Sequence, residues 1–123
     1  MQIKIKTTGS VTLNEELTTL IEKKVSKLEV FVKGDDSALA QVEVGTTTEG
    51  QKSGDVFRGE IHLTFAGGDL YADAVNETLR NAIDETVKEM RRELKKTREK
   101  KRDLARRGGK QIKDFFRNFG RKG

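Results

Sequence analysis

"VFRGEIHLTFAGGDLYADA", residues 56–74, decides the fold. Phe57, Ile61, Leu63 and Phe65 recur at even spacing, which puts them on one face of a strand. Gly67-Gly68 suits a two-residue primed turn, whose central positions both need positive φ. With that turn, Ala66 faces Asp69, Phe65 faces Leu70, Leu63 faces Ala72 and Ile61 faces Ala74. Apolar residues then meet apolar residues on one face, as hairpin pairing requires. The stretch predicts an antiparallel hairpin with one buried and one wet face.

The flanks extend this pattern. Upstream, "ALAQVEV" alternates with Ala40, Val42 and Val44 inward, and "GTTTEGQKSGD" reads as the loop before the hairpin. "MQIKIKTTG" puts Ile3 and Ile5 on one side and Lys4 and Lys6 on the other, a half-buried strand. Between these strands, Thr12 and Glu15 have capping-box spacing. Leu17, Leu20, Ile21, Val25, Leu28 and Phe31 then mark an amphipathic helix ending near "KGDD".

Downstream, Asn76 is placed to cap a second helix with the stripe Leu79, Ala82, Ile83, Val87, Met90 and Leu94. The stripe then meets Thr97 and Lys101, and only Leu104 recovers it. A helix over 77–105 is roughly 43 Å long, against roughly 30 Å for a small domain, so its last turns must overhang. The expected fold class is α+β. It is a β-α-β-β-β-α two-layer sandwich, with a four-stranded sheet, two helices on one face and a basic C-terminal tail. The first two strands pair in parallel through a right-handed crossover. Lys4, Lys6, Gln41, Glu43, Arg58, Glu60, His62 and Thr64 face water on the other side. One domain over 1–105 and a basic aromatic tail over 106–123 are expected.

Composition excludes several classes. There is no Cys, so disulfide and thiolate chemistry are absent, and no Pro-rich linker exists because there is no Pro. No stretch has the length and apolarity of a membrane span, and the N-terminus lacks a signal-peptide pattern. A cytoplasmic location is expected.

Catalysis has little support. The hairpin register above sets His62, the only His, opposite Asp73. A nucleophile and an oxyanion site would have to converge on an open sheet, so a plain surface pair is the better reading. One His without Cys is a poor zinc set. "GTTTEGQK" has phosphate-loop spacing, but Gln51 stands where the lysine belongs and no helix follows. "RGGKQ" lacks the Ser or Thr that binds magnesium. No enzyme activity, cofactor, metal or small-molecule substrate is expected.

Charge points elsewhere. Residues 1–87 hold 9 basic and 15 acidic residues, a net −6, whereas 88–123 hold 16 and 5, a net +11. An unbalanced basic helix repels itself unless something anionic meets it. Lys88, Arg92, Lys95 and Lys96 lie off the apolar stripe and are free to reach outward, as are Lys23 and Lys27 on the first helix. Nucleic acid is the favoured partner. Thr97 and Lys101 interrupt any coiled-coil seam. In the tail, Ile112, Phe115, Phe116 and Phe119 keep helical spacing among Lys110, Lys113 and Arg117. The tail suits contact with RNA or a ribosomal surface first, then an anionic membrane, then its own domain.

Three stretches, "VTLNEELTTLIEKKVSKLEVF", "QVEVGTTTEGQKSGDVFRGEIHLTF" and "ETLRNAIDETVKEMRREL", together resemble the short ribosome hibernation factors, hibernation-promoting factor and ribosome-associated inhibitor A. The likeness spans about residues 1–100, and the plan also resembles a double-stranded-RNA-binding domain with an added first strand. The resemblance implies binding to the small ribosomal subunit in the mRNA and tRNA decoding channel, which blocks translation. It implies ribosomal-RNA contacts at Lys23, Lys24 and Lys27, and at Lys88, Arg91, Arg92, Lys95 and Lys96, with Arg98 and Lys100 continuing the run. Where the family usually has Asp, an apolar residue and Tyr, this chain has Thr78-Leu79-Arg80, so Arg80 is a candidate phosphate contact in place of the Tyr. The dimerising domain of long forms is not expected here, so a monomer is. The runners-up are a general double-stranded-RNA binder or RNA chaperone, and a peripheral membrane protein that uses the tail.

Overall fold

The structure is a computed structural model that describes residues 1–47 and 56–107. The phosphate-loop-like segment lies mostly outside these residues. So do the tail candidates Lys110, Lys113, Phe115, Phe116, Arg117 and Phe119.

The elements are β1 (Gln2–Thr8), α1 (Glu15–Val25), a 3₁₀ segment (Ser26–Phe31), β2 (Leu39–Thr47), β3 (Val56–Phe65), β4 (Gly68–Asn76) and α2 (Leu79–Arg107). The sheet order is β1-β2-β3-β4. β1 runs parallel to β2, and the other two pairs are antiparallel. This is the α+β plan expected from the hydrophobic pattern. The core joins Leu17, Ile21, Val25 and Leu28 to Ala40, Val42 and Val44 of β2, Ile61 and Leu63 of β3, and Ile83, Val87, Met90 and Leu94 of α2.

The hairpin pairs differently from the expectation. Phe65 faces Gly68, Leu63 faces Leu70, Ile61 faces Ala72 and Gly59 faces Ala74. The turn is therefore Ala66-Gly67, not Gly67-Gly68, and Gly68 opens β4 at φ 136°. The shift is two residues, so every inward side chain stays inward. Apolar matching is equally good in both registers and could not separate them. The observed register sets two small residues, Gly59 and Ala74, opposite each other beneath α2. A Cβ on Gly59 would lie 2.6 Å from Thr86 Oγ1 and 3.3 Å from Ala82 O. The helix therefore rests where the sheet is thinnest. Asp35 also holds the turn, because its Oδ2 accepts from Ala66 N at 2.7 Å.

The same shift corrects the His62 pairing. His62 faces Tyr71, and its Nε2 lies 3.3 Å from Asp69 Oδ1. Asp73 belongs to Arg58, whose Nη2 is 2.5 Å from Asp73 Oδ2 and 3.0 Å from Glu60 Oε1. Donation to the Asp73 carboxylate holds the Arg58 guanidinium pKa above its ordinary range.

Both helix caps also move. Asn14, not Thr12, caps α1, with Oδ1 accepting from Leu17 N at 2.8 Å. Thr78, not Asn76, caps α2, with Oγ1 accepting from Asn81 N at 3.1 Å. Asn76 ends β4, accepts from Thr78 N and donates to Glu85 Oε1. Neighbouring Asn and Thr are both competent caps, and the exit of the preceding segment selects one. The first helix tightens to 3₁₀ geometry after Val25, which still buries Leu28 fully.

Gly59→Ala is expected to cost about 1–3 kcal/mol by overpacking against Thr86 and the α2 backbone. A lowered denaturant midpoint with unchanged slope checks this. Asp35 gives a second expectation. Hydrogen bonds from Ser37 first and Ala66 second hold its carboxyl below the ordinary 3.8. Its contribution is present above 3.8 and is lost as pH falls through the lower folded value. Asp35→Asn is expected to flatten the acid limb of a stability-versus-pH curve, measured by denaturation at successive pH values.

Candidate nucleic-acid interface

α2 is a continuous helix because residues 79–107 contain neither Gly nor Pro and are rich in Leu, Arg, Lys and Glu. Its buried side is Ala82, Ile83, Thr86, Val87, Met90 and Leu94. Beyond Leu94 only Thr97 and Leu104 are half-buried through Arg106. The helix spans about 43 Å at 1.5 Å per residue, and its last dozen residues overhang the core.

Two tertiary contacts show which flank of α2 faces the first helix. Lys24 Nζ lies 2.9 Å from Asp84 Oδ1. Fourteen residues along, the Arg98 guanidinium stacks over Phe31, 4.5 Å from the ring centre. Residues between them at helical spacing share that flank: Arg91 and Lys95, with Arg102 continuing it, while Lys88 stands farther round and lines a hollow with Asp73, Glu85 and Arg92. Lys88, Arg91, Lys95 and Arg102 are exposed, and no carboxylate among the described residues forms a salt bridge with them. Asp84 on this flank is taken by Lys24, and exposed Glu99 follows Lys95 by four residues and precedes Arg102 by three. Lys23 at the end of α1 and Lys27 in the 3₁₀ segment are exposed too.

The opposite flank carries Glu85, Glu89 and Glu93. There Arg92 pairs with Glu89, and Lys96 Nζ lies 3.6 Å from Glu93 Oε1. The charge is uneven between the flanks: one side is balanced, and on the other basic residues outnumber acids, with Glu99 the nearest exposed carboxylate.

The sequence candidates therefore form a line more than a patch. Arg80 and Lys100 are exposed, but twenty residues of helix set them roughly 30 Å apart. Arg80 stands at the other end of α2, beside a groove of about 540 Å³ that includes Leu20, Phe57 and Leu79. Lys24 and Arg98 have intramolecular partners, so each also positions the helices. Arg102 belongs to the stripe and was missed, although its spacing from Lys95 and Arg98 carried the signal.

Phe31→Leu keeps the apolar contact and removes the ring under Arg98. It is expected to cost about 0.5–1 kcal/mol and to speed amide exchange in α2 after Leu94, read by hydrogen exchange.

Comparison with known proteins bears on the fold and the family. The family model described as sigma 54 modulation protein / S30EA ribosomal protein matches residues 3–102. No match was found among curated protein sequences. The crystal structure of the Thermus thermophilus Protein Y N-terminal domain superimposes with a TM-score of 0.66 at 21% identity, covering 78% of this chain and 98% of that one. A ribosomal subunit interface protein from Coxiella burnetii gives 0.65 at 15% identity, covering 80% and 98%. These two likenesses show the same fold. The match over residues 3–102 shows the family: the chain belongs to the sigma 54 modulation protein / S30EA ribosomal proteins.

Proposed function

We propose that this protein is a ribosome-associated hibernation factor that occupies the decoding channel of the small subunit and blocks translation. The observation that carries this reading is the predominantly basic stripe on the α2 flank beside helix one. Ribosomal RNA supplies a polyanion of matching length, and the family is one of ribosome-associated factors, not enzymes. The stripe of Arg91, Lys95 and Arg102, with Lys88 beside it and Lys23 and Lys27 across from it, neutralises phosphates. The core residues of α2 through Leu94 fix the near part of that stripe, and Arg102 stands on the overhang. The protein acts by filling space and charge, as a monomer, without a chemical step. Among the described residues no helix is long and apolar enough to cross a membrane.

If roughly 6 to 8 phosphates are neutralised, log affinity for purified small subunits falls with log salt at a slope of about −4 to −7. A slope near zero removes the mechanism. Arg91→Gln with Lys95→Gln is expected to cut affinity by about tenfold or more. Arg92→Gln with Lys96→Gln is expected to cut it less, because acids already engage those two. Equal losses in the two double variants contradict the flank assignment. Equal affinity for small subunits and random duplex RNA favours a general duplex binder instead.

A further inference from the structure

The sheet has a second face, turned away from both helices. The observed register lines up one residue from each strand across it. Lys4 pairs with Gln41, Gln41 with His62, and His62 with Tyr71. The rung crosses four strands, about 14 Å at 4.8 Å per step. Tyr71 is 52% exposed although it is a large aromatic in mid-strand. A shallow hollow of about 410 Å³ runs along the rung and also touches Lys6.

The charges on this face are mixed, with Glu43 and Glu60 also lining the hollow, and most of the acids are engaged by neighbours. Asp73 and Glu60 are held by Arg58, and Asp69 is engaged by His62 and by Thr64 Oγ1 at 2.7 Å. Arg58 Nη2 donates to the Tyr71 hydroxyl at 3.1 Å, which fixes the ring on the sheet. Glu43 lies beside Lys6 and opposite Glu60. Three of the four carboxylates are thus engaged within the sheet. Lys4 and Lys6 are exposed at the β1 edge, and no carboxylate among the described residues forms a salt bridge with them.

The geometry points to a binding site for unpaired RNA on this face. One base stacks on Tyr71 beside His62, the Gln41 amide reaches the base edge, and Lys4 and Lys6 take the adjoining phosphates. An aromatic with a fixed ring accepts any base face, and flexible lysines track the backbone. A duplex cannot present an unstacked base to the sheet, so the site selects single strands. It is separate from the α2 stripe and lies on the opposite layer of the sandwich. A molecule held by its helices on one RNA surface can thereby hold a loose strand on the other.

Tyr71 is the only Tyr, and there is no Trp, so intrinsic emission reports on this site alone. The experiment titrates the Arg91→Gln, Lys95→Gln protein with a short single-stranded oligoadenylate. That background weakens the helix site, so the two readings fail separately. The expected result is a saturable loss of tyrosine emission. Adding Lys4→Gln and Lys6→Gln is expected to reduce the salt slope of that binding by about 1.4, the value for two single-strand phosphates. Unchanged emission overturns the proposal, as does quenching whose salt slope ignores Lys4 and Lys6. An emission change seen only with ribosomal proteins, and not with oligoadenylate, also overturns it in favour of a protein partner.

Discussion

Everything in this molecule depends on how closely α2 can approach the sheet. The contact is made at Gly59, where Thr86 and the Ala82 carbonyl occupy the space of a side chain. Among the described residues Thr86 is the one buried polar side chain, and its hydroxyl donates to Ala82 O at 2.7 Å. That internal bond lets a polar group sit against the sheet without a desolvation cost. The close approach brings Met90 and Leu94 into the core and fixes the direction in which the rest of α2 leaves it. The stripe of Arg91 and Lys95 points where it does because Gly59 is small.

Faces were legible in the sequence and registers were not. A period of two sorts Ile61, Leu63, Leu70 and Ala72 inward whichever turn is chosen, because a two-residue slip preserves the side. The turn itself depends on Asp35, thirty-one positions away, which no local rule reaches. The caps followed the same logic. Thr12, Asn14, Asn76 and Thr78 are all capping types, and the choice among them follows the path of the chain into each helix. The His62 pairing failed only because it inherited the turn.

The candidate site divides in the same way. Net charge identified α2 as the basic element, and spacing placed its lysines and arginines off the core. Spacing could pair Arg92 with Glu89 and Lys96 with Glu93, each three residues apart, but it did not show that Lys24 takes Asp84 from the other flank. That distinction needs the position of helix one, which brings Lys24 and Phe31 against α2. Two residues read as phosphate ligands, Lys24 and Arg98, thereby acquire a second role as ties between helices.

The parallel pairing of β1 with β2 has a kinetic consequence. β2, β3 and β4 meet through consecutive antiparallel connections, and α2 follows them directly. β1 reaches β2 only after the whole of α1 and the 3₁₀ segment intervene, as the pairing of Gln2 with Leu39 shows. Loop-closure entropy therefore disfavours early joining of β1 and α1 relative to the antiparallel strands. Lys23, Lys24, Lys27 and Phe31 arrive with that unit, and Arg98 has no ring to rest on before then. A chain in which β1 and α1 have not yet joined carries the basic α2 without the Lys24 and Phe31 ties that orient it.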